Sequence, residues 1–421
     1  MNIFKNNPIV RIAFVHLVSK KRQTVVAMLG VTFGIAVYIF QAGLITGLQQ
    51  YMVDKMVNNT AHIHLYNDPE RNPPSILSQI SHSPNEWIVV RNQKQKDIQK
   101  KLRNSAQVMD ILERMPEVAG VAPFLGTQAI VKAGFKEKPV TISGVNIDRE
   151  NALFNLNKEM ISGDLTRMKT LPNGIILGVG VAKKLGAIVD DIITISTVNT
   201  VLDMKVVGIT QNGITAIDDN RAYVNLRSAQ KLMNVDMLYI TDINIKLKDV
   251  DQADQLADEL ERTLGFRAQS WKEANSGIFG VFKIQNIATY LVITSILIVA
   301  GFGIFNILMM MIYEKMTDIA ILKSIGFRNG DIRTLFLIEA IVIGVIGGLA
   351  GLLMGYGMCR LASTVKIELK GLVSLDHLNI NYDPIFYITG FAYALVSTAL
   401  AGWFPAAKAS KVDPIDIIRG K

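Results

Sequence analysis

The sequence predicts a membrane protein with four transmembrane α-helices and a large α+β domain between the first and the second. Three observations carry this. Half of the 421 residues are hydrophobic, and they gather into a few long uncharged blocks instead of spreading evenly. About 20 apolar residues in a helix cross the roughly 30 Å hydrocarbon core of a bilayer, and the blocks reach that length. Between the first two blocks, Asp54 to Phe282 is a patchwork of short β-branched runs and short helical patterns.

The first block is Gln23 to Val53, preceded by Lys5, Arg11, Lys20, Lys21 and Arg22 with no acid among them. It is too long for a signal peptide and lacks a small-residue cleavage site, so it reads as a retained span. Gly30 and Gly34 are four apart, as are Gly43 and Gly47. That spacing lets helix backbones approach closely in a membrane, though ordinary tolerance of glycine there explains it as well.

In the domain 54–282, candidate strands are His62–Tyr66, Ala129–Ala133, Val140–Val145, Ile175–Leu177, Ile192–Thr197, Met204–Thr210, Ala222–Asn225 and Ile243–Leu247. Each is short, β-branched and bounded by turn residues. Gly134 to Pro139 reads as a hairpin connection. Helices are expected at Ser105–Met115, Gly180–Leu185, Arg227–Met233 and Asp251–Leu264, the last with Asp251 as N-cap and Gly265 as its stop. The stretch 67–104 holds Pro69, Pro73, Pro74 and Pro84 and a charged run, and reads as an exposed loop leading into a helix.

The second span, 283–313, contains the uncharged run Ile284 to Tyr313. Directly after it, Glu314 to Gly326 carries Glu314, Lys315, Asp318 and Lys323 beside Ile319, Leu322 and Ile325. This reads as a short amphipathic helix closed by Gly326, within a loop 314–334. The third span, 335–361, carries the small-residue series Gly347, Gly351, Gly355, the strongest close-packing signal in the chain. A short loop, 362–383, precedes the fourth span, 384–407, which starts at Asp383-Pro384 and is expected to stop near Trp403-Phe404-Pro405. A tail, 408–421, follows.

Lysine and arginine set the orientation. The segment 1–23, the loop with Lys315, Lys323, Arg328 and Arg333, and the tail with Lys408, Lys411, Arg419 and Lys421 all fall on the cytoplasmic side of a four-span protein. In the loop 362–383, Lys366 and Lys370 are offset by Glu368, Asp376 and Asp383, so it falls outside with the domain 54–282. The net charge of +8 could suggest nucleic acid, but the basic residues flank apolar blocks and form no stripe with aromatics.

Catalytic patterns are missing from the sequence. It has no GxxxxGK[ST] loop and no HExxH, and Gly178-Val-Gly180 lacks the third glycine of a dinucleotide fingerprint. His62 and His64 share a strand face but lack further metal partners. Cys359, the only cysteine, sits in an apolar block and reads as a packing residue. Gln41, Asn286 and Asn306 lie within spans, where such groups bond to neighbouring helices or face a cavity. No cofactor or metal is expected on this chain.

The segment Glu314-Lys-Met-Thr-Asp-Ile-Ala-Ile-Leu-Lys-Ser-Ile-Gly326 and the tail Pro405-Ala-Ala-Lys-Ala-Ser-Lys-Val-Asp-Pro414 resemble permease subunits of the type VII, mechanotransmission ABC transporters. The lipoprotein-releasing permeases are similar over a longer stretch: Gly30-Val-Thr-Phe-Gly34, Ile142-Ser-Gly-Val-Asn146, Gly174-Ile-Ile-Leu-Gly178, Val206-Val-Gly-Ile209 and Leu226-Arg-Ser-Ala-Gln230. The stretch 67–104 departs from that pattern. The resemblance implies a non-catalytic subunit of a bacterial inner membrane, with both termini cytoplasmic and the α+β domain periplasmic. Its partners would be two copies of a cytoplasmic ATPase that holds ATP and Mg, a second permease subunit (itself or a paralogue), and a periplasmic lipoprotein carrier. The cargo would be a lipoprotein drawn from membrane lipids. Glu314, Lys315, Asp318, Ile319, Leu322, Lys323 and Gly326 would then form the ATPase-coupling helix, with Ile319 and Leu322 seated in an ATPase groove. Macrolide-exporter permeases, which work through an adaptor, and division-associated regulators of a cell-wall hydrolase are the alternatives within the superfamily.

Overall fold

The computed structural model describes residues 8–68, 100–365, 368–369, 373–374 and 378–418. Of the proline-rich stretch, residues 69–99 lie outside these, as do Lys5, Lys366, Lys370, Asp376, Arg419 and Lys421.

In chain order the main elements are α1 (Pro8–Ser19), α2 (Lys21–Asn59), β1 (Ile63–Tyr66), α3 (Ser105–Glu113), β2 (Val118–Ala133), β3 (Lys136–Val145), α4 (Ile147–Phe154), β4 (Met160–Gly163), β5 (Gly174–Gly178), α5 (Val179–Leu185), β6 (Ile192–Ser196), β7 (Val201–Thr210), β8 (Arg221–Asn225), α6 (Leu226–Met233), β9 (Asp242–Leu247), α7 (Ala253–Leu264), β10 (Arg267–Ser270), α8 (Ser276–Glu314), α9 (Met316–Ser324), α10 (Asn329–Ser363) and α11 (Pro384–Ser410). Helices α2, α8, α10 and α11 are each long and apolar enough to cross a membrane. The chain divides into two compact units. One comprises the described residues of Met1–Met52, Gly280–Ile367 and Asp376–Lys421; the other comprises those of Val53–Phe279 and Glu368–Leu375.

The second unit is built on a mixed sheet. Its strand order is β10-β1-β9-β2-β3-β8-β5-β7-β4, with β6 paired to β2 and β7. β3 and β8 run parallel, as do β5 and β7; the remaining pairs are antiparallel. Leu125, Ile142, Ala222, Val224, Ile175 and Val206 join Val181, Leu185, Ala229 and Leu232 of α5 and α6 in one buried apolar core. The helices are set by local capping. The Asn225 side chain accepts from the Arg227 N–H at the start of α6, and Asn146 accepts from the Arg149 N–H at the start of α4. Gly186 and Gly265 end α5 and α7 at φ +73° and +70°, a conformation that favours glycine.

Several boundaries differ from expectation. β2 begins at Val118, eleven residues before the predicted strand, because β9 pairs along Val118 to Phe124 despite Gly120 and Pro123. The hairpin turn is only Gly134-Phe135, with Gly134 at φ +58°; this matches a type II′ turn, which needs positive φ only at its first central residue. Pro139 therefore lies inside β3, opposite Ile130. It is tolerated because β8 joins β3 only from Thr141 onward, so no ladder donor is needed at residue 139. β4 and β10 were not expected from their polar sequences. Asp251 is not the cap expected: Asp249 accepts from the Asp251 N–H and starts a 3₁₀ turn, Val250–Gln252, before α7.

The first unit packs α1, α2, α8, α9, α10 and α11. Its glycines show how closely. A Cβ added at Gly347 would lie 2.9 Å from the Met28 carbonyl of α2, one at Gly351 2.8 Å from Ile35 Cβ, and one at Gly355 3.0 Å from Ile39 Cβ. The same helix uses Gly344 and Gly348 against Thr398 and Phe391 of α11. Thr32 Oγ1 also donates to the Gly347 carbonyl at 3.1 Å. The paired glycines of α2 behave differently from one another. Gly43 and Gly47 meet the backbone of Asn379 and Asn381, which lies outside any helix. Gly34 meets Ile296, whereas Gly30 faces open space; both line an apolar groove of about 550 Å³ between α2 and α8.

The expected stop at Pro405 is also corrected: α11 runs through it to Ser410. Pro405, Ala406 and Ala409 are buried, the two alanines against Ile319, Ile332 and Phe336. A proline inside a helix costs about 3 kcal/mol, and this packing outweighs it.

Candidate functional site

In the helical unit, α9 and its surroundings combine ion pairs with a buried apolar cluster. α8 ends at Glu314, Lys315 bridges, and α9 runs from Met316 to Ser324. Gly326, at φ +114°, closes it: its N–H reaches the Lys323 carbonyl, and the Phe327 N–H reaches the Leu322 carbonyl at 3.1 Å each. That pair of bonds is a Schellman motif, which satisfies carbonyls that a helix end would leave open.

Glu314 accepts from Lys20 at 2.5 Å and from Gln23 at 3.3 Å, fastening the end of α8 to the start of α2. Lys315 pairs with Asp318 at 2.7 Å. Lys323 Nζ donates to the carbonyls of Ser410 at 3.0 Å and Val412 at 2.6 Å, at the end of α11. Ile319 is 1% exposed, in a cluster with Ala13, Ile312, Ile332, Leu335 and Phe336, and Leu322 packs at its edge. The apolar face available to a partner is therefore not Ile319 and Leu322. It is Ile321 and Ile325, the latter 74% exposed, beside Thr317 and Asp318. The geometry explains the error. Residues 319 and 325 are six apart, which at 3.6 residues per turn places them about 120° apart on the helix. Residues 318, 321 and 325 fall within about 60° of one another.

Two features escaped the sequence reading. One is α1, a short apolar helix that packs Ala13 against α9 and α10 residues. The other is Glu339, fully buried in α10, whose Oε1 lies 2.9 Å from His16 Nδ1 of α1. A carboxylate inside an apolar span was visible in the sequence and demands a partner. Arg333, at the start of the same helix, lies 3.4 Å over the Trp403 ring. Among the other polar groups of the spans, Gln49 donates to Gln285 at 3.1 Å and Asn286 at 3.2 Å. Asn306 is exposed on α8, and Cys359 is buried against Ile39 of α2.

The sheet unit holds a buried charged cluster. Glu150 on α4, Glu159 just before β4, and Arg221 and Tyr223 on β8 interact electrostatically. Asn212 donates to Glu159 Oε1 at 2.9 Å, and the Asp218 carboxylate accepts the N–H groups of Asn212 and Gly213. Burial pushes the carboxyls of both Glu150 and Glu159 up to about 7, against the pull of Arg221. Burial likewise holds His64 down to about 4.

These folded pKa values of the glutamates lie above the ordinary 4.5. Their stability contribution is complete below about 4.5 and is lost as pH rises through about 7. His64 acts in the opposite sense, losing stability as pH falls from 6.5 toward about 4. Glu150→Gln removes one glutamate and leaves His64 unchanged. Relative to wild type, this variant should therefore gain about 2 kcal/mol between pH 5 and pH 8. Thermal unfolding of the full chain at the two pH values checks this, and parallel pH profiles for the two proteins would refute it.

Among the described residues, no group of three or more His, Cys, Asp or Glu side chains could hold a metal ion. His62 and His64 do not pair as ligands; both ring nitrogens of His62 are engaged by backbone groups.

Comparison with known proteins defines the family. The model of the MacB-like periplasmic core domain matches residues 24–263, more than half of the chain, and that of the FtsX-like permease C-terminal matches residues 290–414. The lipoprotein-releasing system transmembrane protein LolC of Xylella fastidiosa is 24% identical over 445 residues, covering 98% of this chain and 99% of that protein. LolE of Haemophilus influenzae is 23% identical over 413 residues, 93% of this chain and 92% of its own. The pyoverdine export ATP-binding/permease protein PvdT of Pseudomonas syringae is 28% identical over 318 residues, 72% of this chain but 46% of PvdT. With both family models matched in order and relatives aligned over nearly its whole length, the chain belongs to the MacB-like periplasmic core domain family and is an ABC-transporter permease of the LolC/LolE, MacB and FtsX type.

Proposed function

We propose that this chain is the membrane subunit of a lipoprotein-releasing transporter in a bacterial inner membrane. In this reading both termini are cytoplasmic and the sheet unit is periplasmic. A separate ATPase, in two copies with ATP and Mg, bears on α9, and a second permease subunit completes the membrane part. The chain itself is non-catalytic. The observation that carries the reading is the near end-to-end similarity to LolC, which spans both the sheet unit and the helices. PvdT, whose name joins ATP binding and permease in one protein, is matched over less than half of its length.

Physical chemistry makes the division of labour reasonable. Two charged residues at the ends of α8 and α9 fasten these helices: Glu314 on Lys20, and Lys323 on the end of α11. A push on the exposed face of α9 would reach α2, α8 and α11 together as a rigid-body shift. Extraction opposes about 0.8 kcal/mol for each buried acyl CH₂, so a chain of some 16 carbons costs on the order of 10 kcal/mol. That demand requires an external energy source.

The test is copurification of the chain in native lipid, followed by ATP addition to vesicles loaded with a lipid-anchored protein. An associated ATPase and ATP-dependent transfer to a soluble carrier are expected. Recovery of an adaptor and outer-membrane duct, or of a cell-wall hydrolase, with no release of lipoprotein, would overturn the proposal.

A further inference from the structure

α2 has 39 residues and ends at Asn59 without a glycine cap. A helix leaves its last four carbonyls without partners inside the helix. Here three of them are captured by side chains and by the following turn. The Met56 carbonyl accepts from the Thr60 N–H at 3.0 Å and from its hydroxyl at 2.6 Å. The Val57 carbonyl lies 3.0 Å from His62 Nε2. The Asn58 carbonyl accepts from Lys246 Nζ at 2.8 Å.

His62 does more than cap. Its Nδ1 accepts the buried Leu247 N–H of β9 at 3.0 Å. The tautomer is thereby fixed, with the proton on Nε2 donated to Val57. The His62 N–H donates to the Ile245 carbonyl at 2.9 Å, and the His62 carbonyl accepts the Trp271 N–H at 2.9 Å. Trp271 is buried; its ring meets Phe279 of α8 edge-on at 5.6 Å, and Asn275 donates to its carbonyl at 2.8 Å. One residue thus joins the last turn of α2, strand β9 and the segment that opens α8. Lys246 reinforces the joint by also donating to the Leu153 carbonyl of α4 at 2.8 Å. A simple helix cap would need one donor. This histidine uses both ring nitrogens and both backbone groups, on three different segments.

We infer that His62, with Lys246, is the joint that makes the end of α2 and the start of α8 move as one body with the sheet, and so is a positioning residue of the transport cycle. The inference rests on the transport reading above for its functional part; the joint itself does not.

Two conservative variants separate positioning from mere support. In His62→Asn, the side-chain oxygen sits where Nδ1 lies and keeps the Leu247 bond, but nothing reaches Val57. In His62→Gln, the amide nitrogen reaches the Nε2 position and keeps the Val57 bond. Amide hydrogen exchange of residues 57–61 in the full chain in lipid should quicken about 10-fold in His62→Asn and stay close to wild type in His62→Gln. A fluorophore at Phe135→Cys, on the exposed hairpin tip in a Cys359→Ala background, should report an ATP-driven change in the chain with its ATPase. That change should fall about 5-fold in His62→Asn and survive in His62→Gln, with ATP hydrolysis unaltered in both. Equal exchange in the two variants, or a full ATP-driven response in His62→Asn, overturns the joint. A wild-type chain with no ATP-driven response overturns the transport reading instead, and the exchange result then decides the joint alone.

Discussion

Gly351→Leu should prevent α2 and α10 from packing and abolish recovery of the folded chain. The Cβ alone would stand 2.8 Å from Ile35 Cβ and 2.9 Å from the Thr32 carbonyl, closer than Cβ atoms approach such neighbours in folded proteins. Ile35 is fully buried and has no free volume to enter, and a carbonyl held in a helix cannot turn away. Forcing extra carbons into a packed interior costs about 1–3 kcal/mol where neighbours can yield, and more where backbone must move. Separation of the helices would also break the bond from Thr32 to the Gly347 carbonyl. The control lies on the same helix. A Cβ at Gly357 meets nothing within 4 Å, so Gly357→Leu should fold normally and even gain slightly in helix propensity. Size-exclusion profiles of the two variants after mild heating decide the matter. Equal recovery of both would mean that the glycine series does not set the α2–α10 distance.

Ile325→Glu should remove the ATPase from the purified complex while leaving the chain itself intact. Ile325 is exposed at the end of α9, on the face shared with Asp318 and Ile321. An apolar anchor at the centre of an interface is commonly worth 2 kcal/mol or more, and a buried charge in its place adds a desolvation cost. A loss of affinity of about 30-fold or greater is expected. Since the side chain is 74% exposed, the melting temperature should hold. Ile319→Glu would be no substitute, because Ile319 lies in the core and its change would unfold the helical unit. Wild-type amounts of ATPase bound to the Ile325→Glu chain would remove α9 as the docking element.

The four spans were readable because a bilayer imposes length and apolarity on every residue at once, so hydropathy alone finds them. The strands of the sheet core were readable where apolar residues alternate cleanly with polar ones, as in Ile243–Leu247. The first half of β2 was not, because Gly120, Pro123 and Gly126 punctuate it as turns do. Its pairing is supplied by β9, more than a hundred residues away in sequence. The end of α11 was hidden for a related reason. Pro405 is a local stop, and what overrides it is contact with α9 and α10. For α9, the segment could be found by its charge and its glycine, but its orientation could not. Ile319 and Ile321 are equally apolar, and only the neighbours Ala13, Ile332 and Phe336 decide which one turns inward.

The close approach at Gly43 and Gly47 has a consequence for how such a chain can diverge. The Asn381 N–H donates to the Gly43 carbonyl, and a Cβ at residue 47 would lie 2.1 Å from the Asn379 carbonyl. Even alanine is refused there, so a descendant lacking that glycine must already have rerouted the peptide ahead of its last span. Insertions around 379–381 and substitutions at 47 form a single heritable character, although they lie far apart in the sequence.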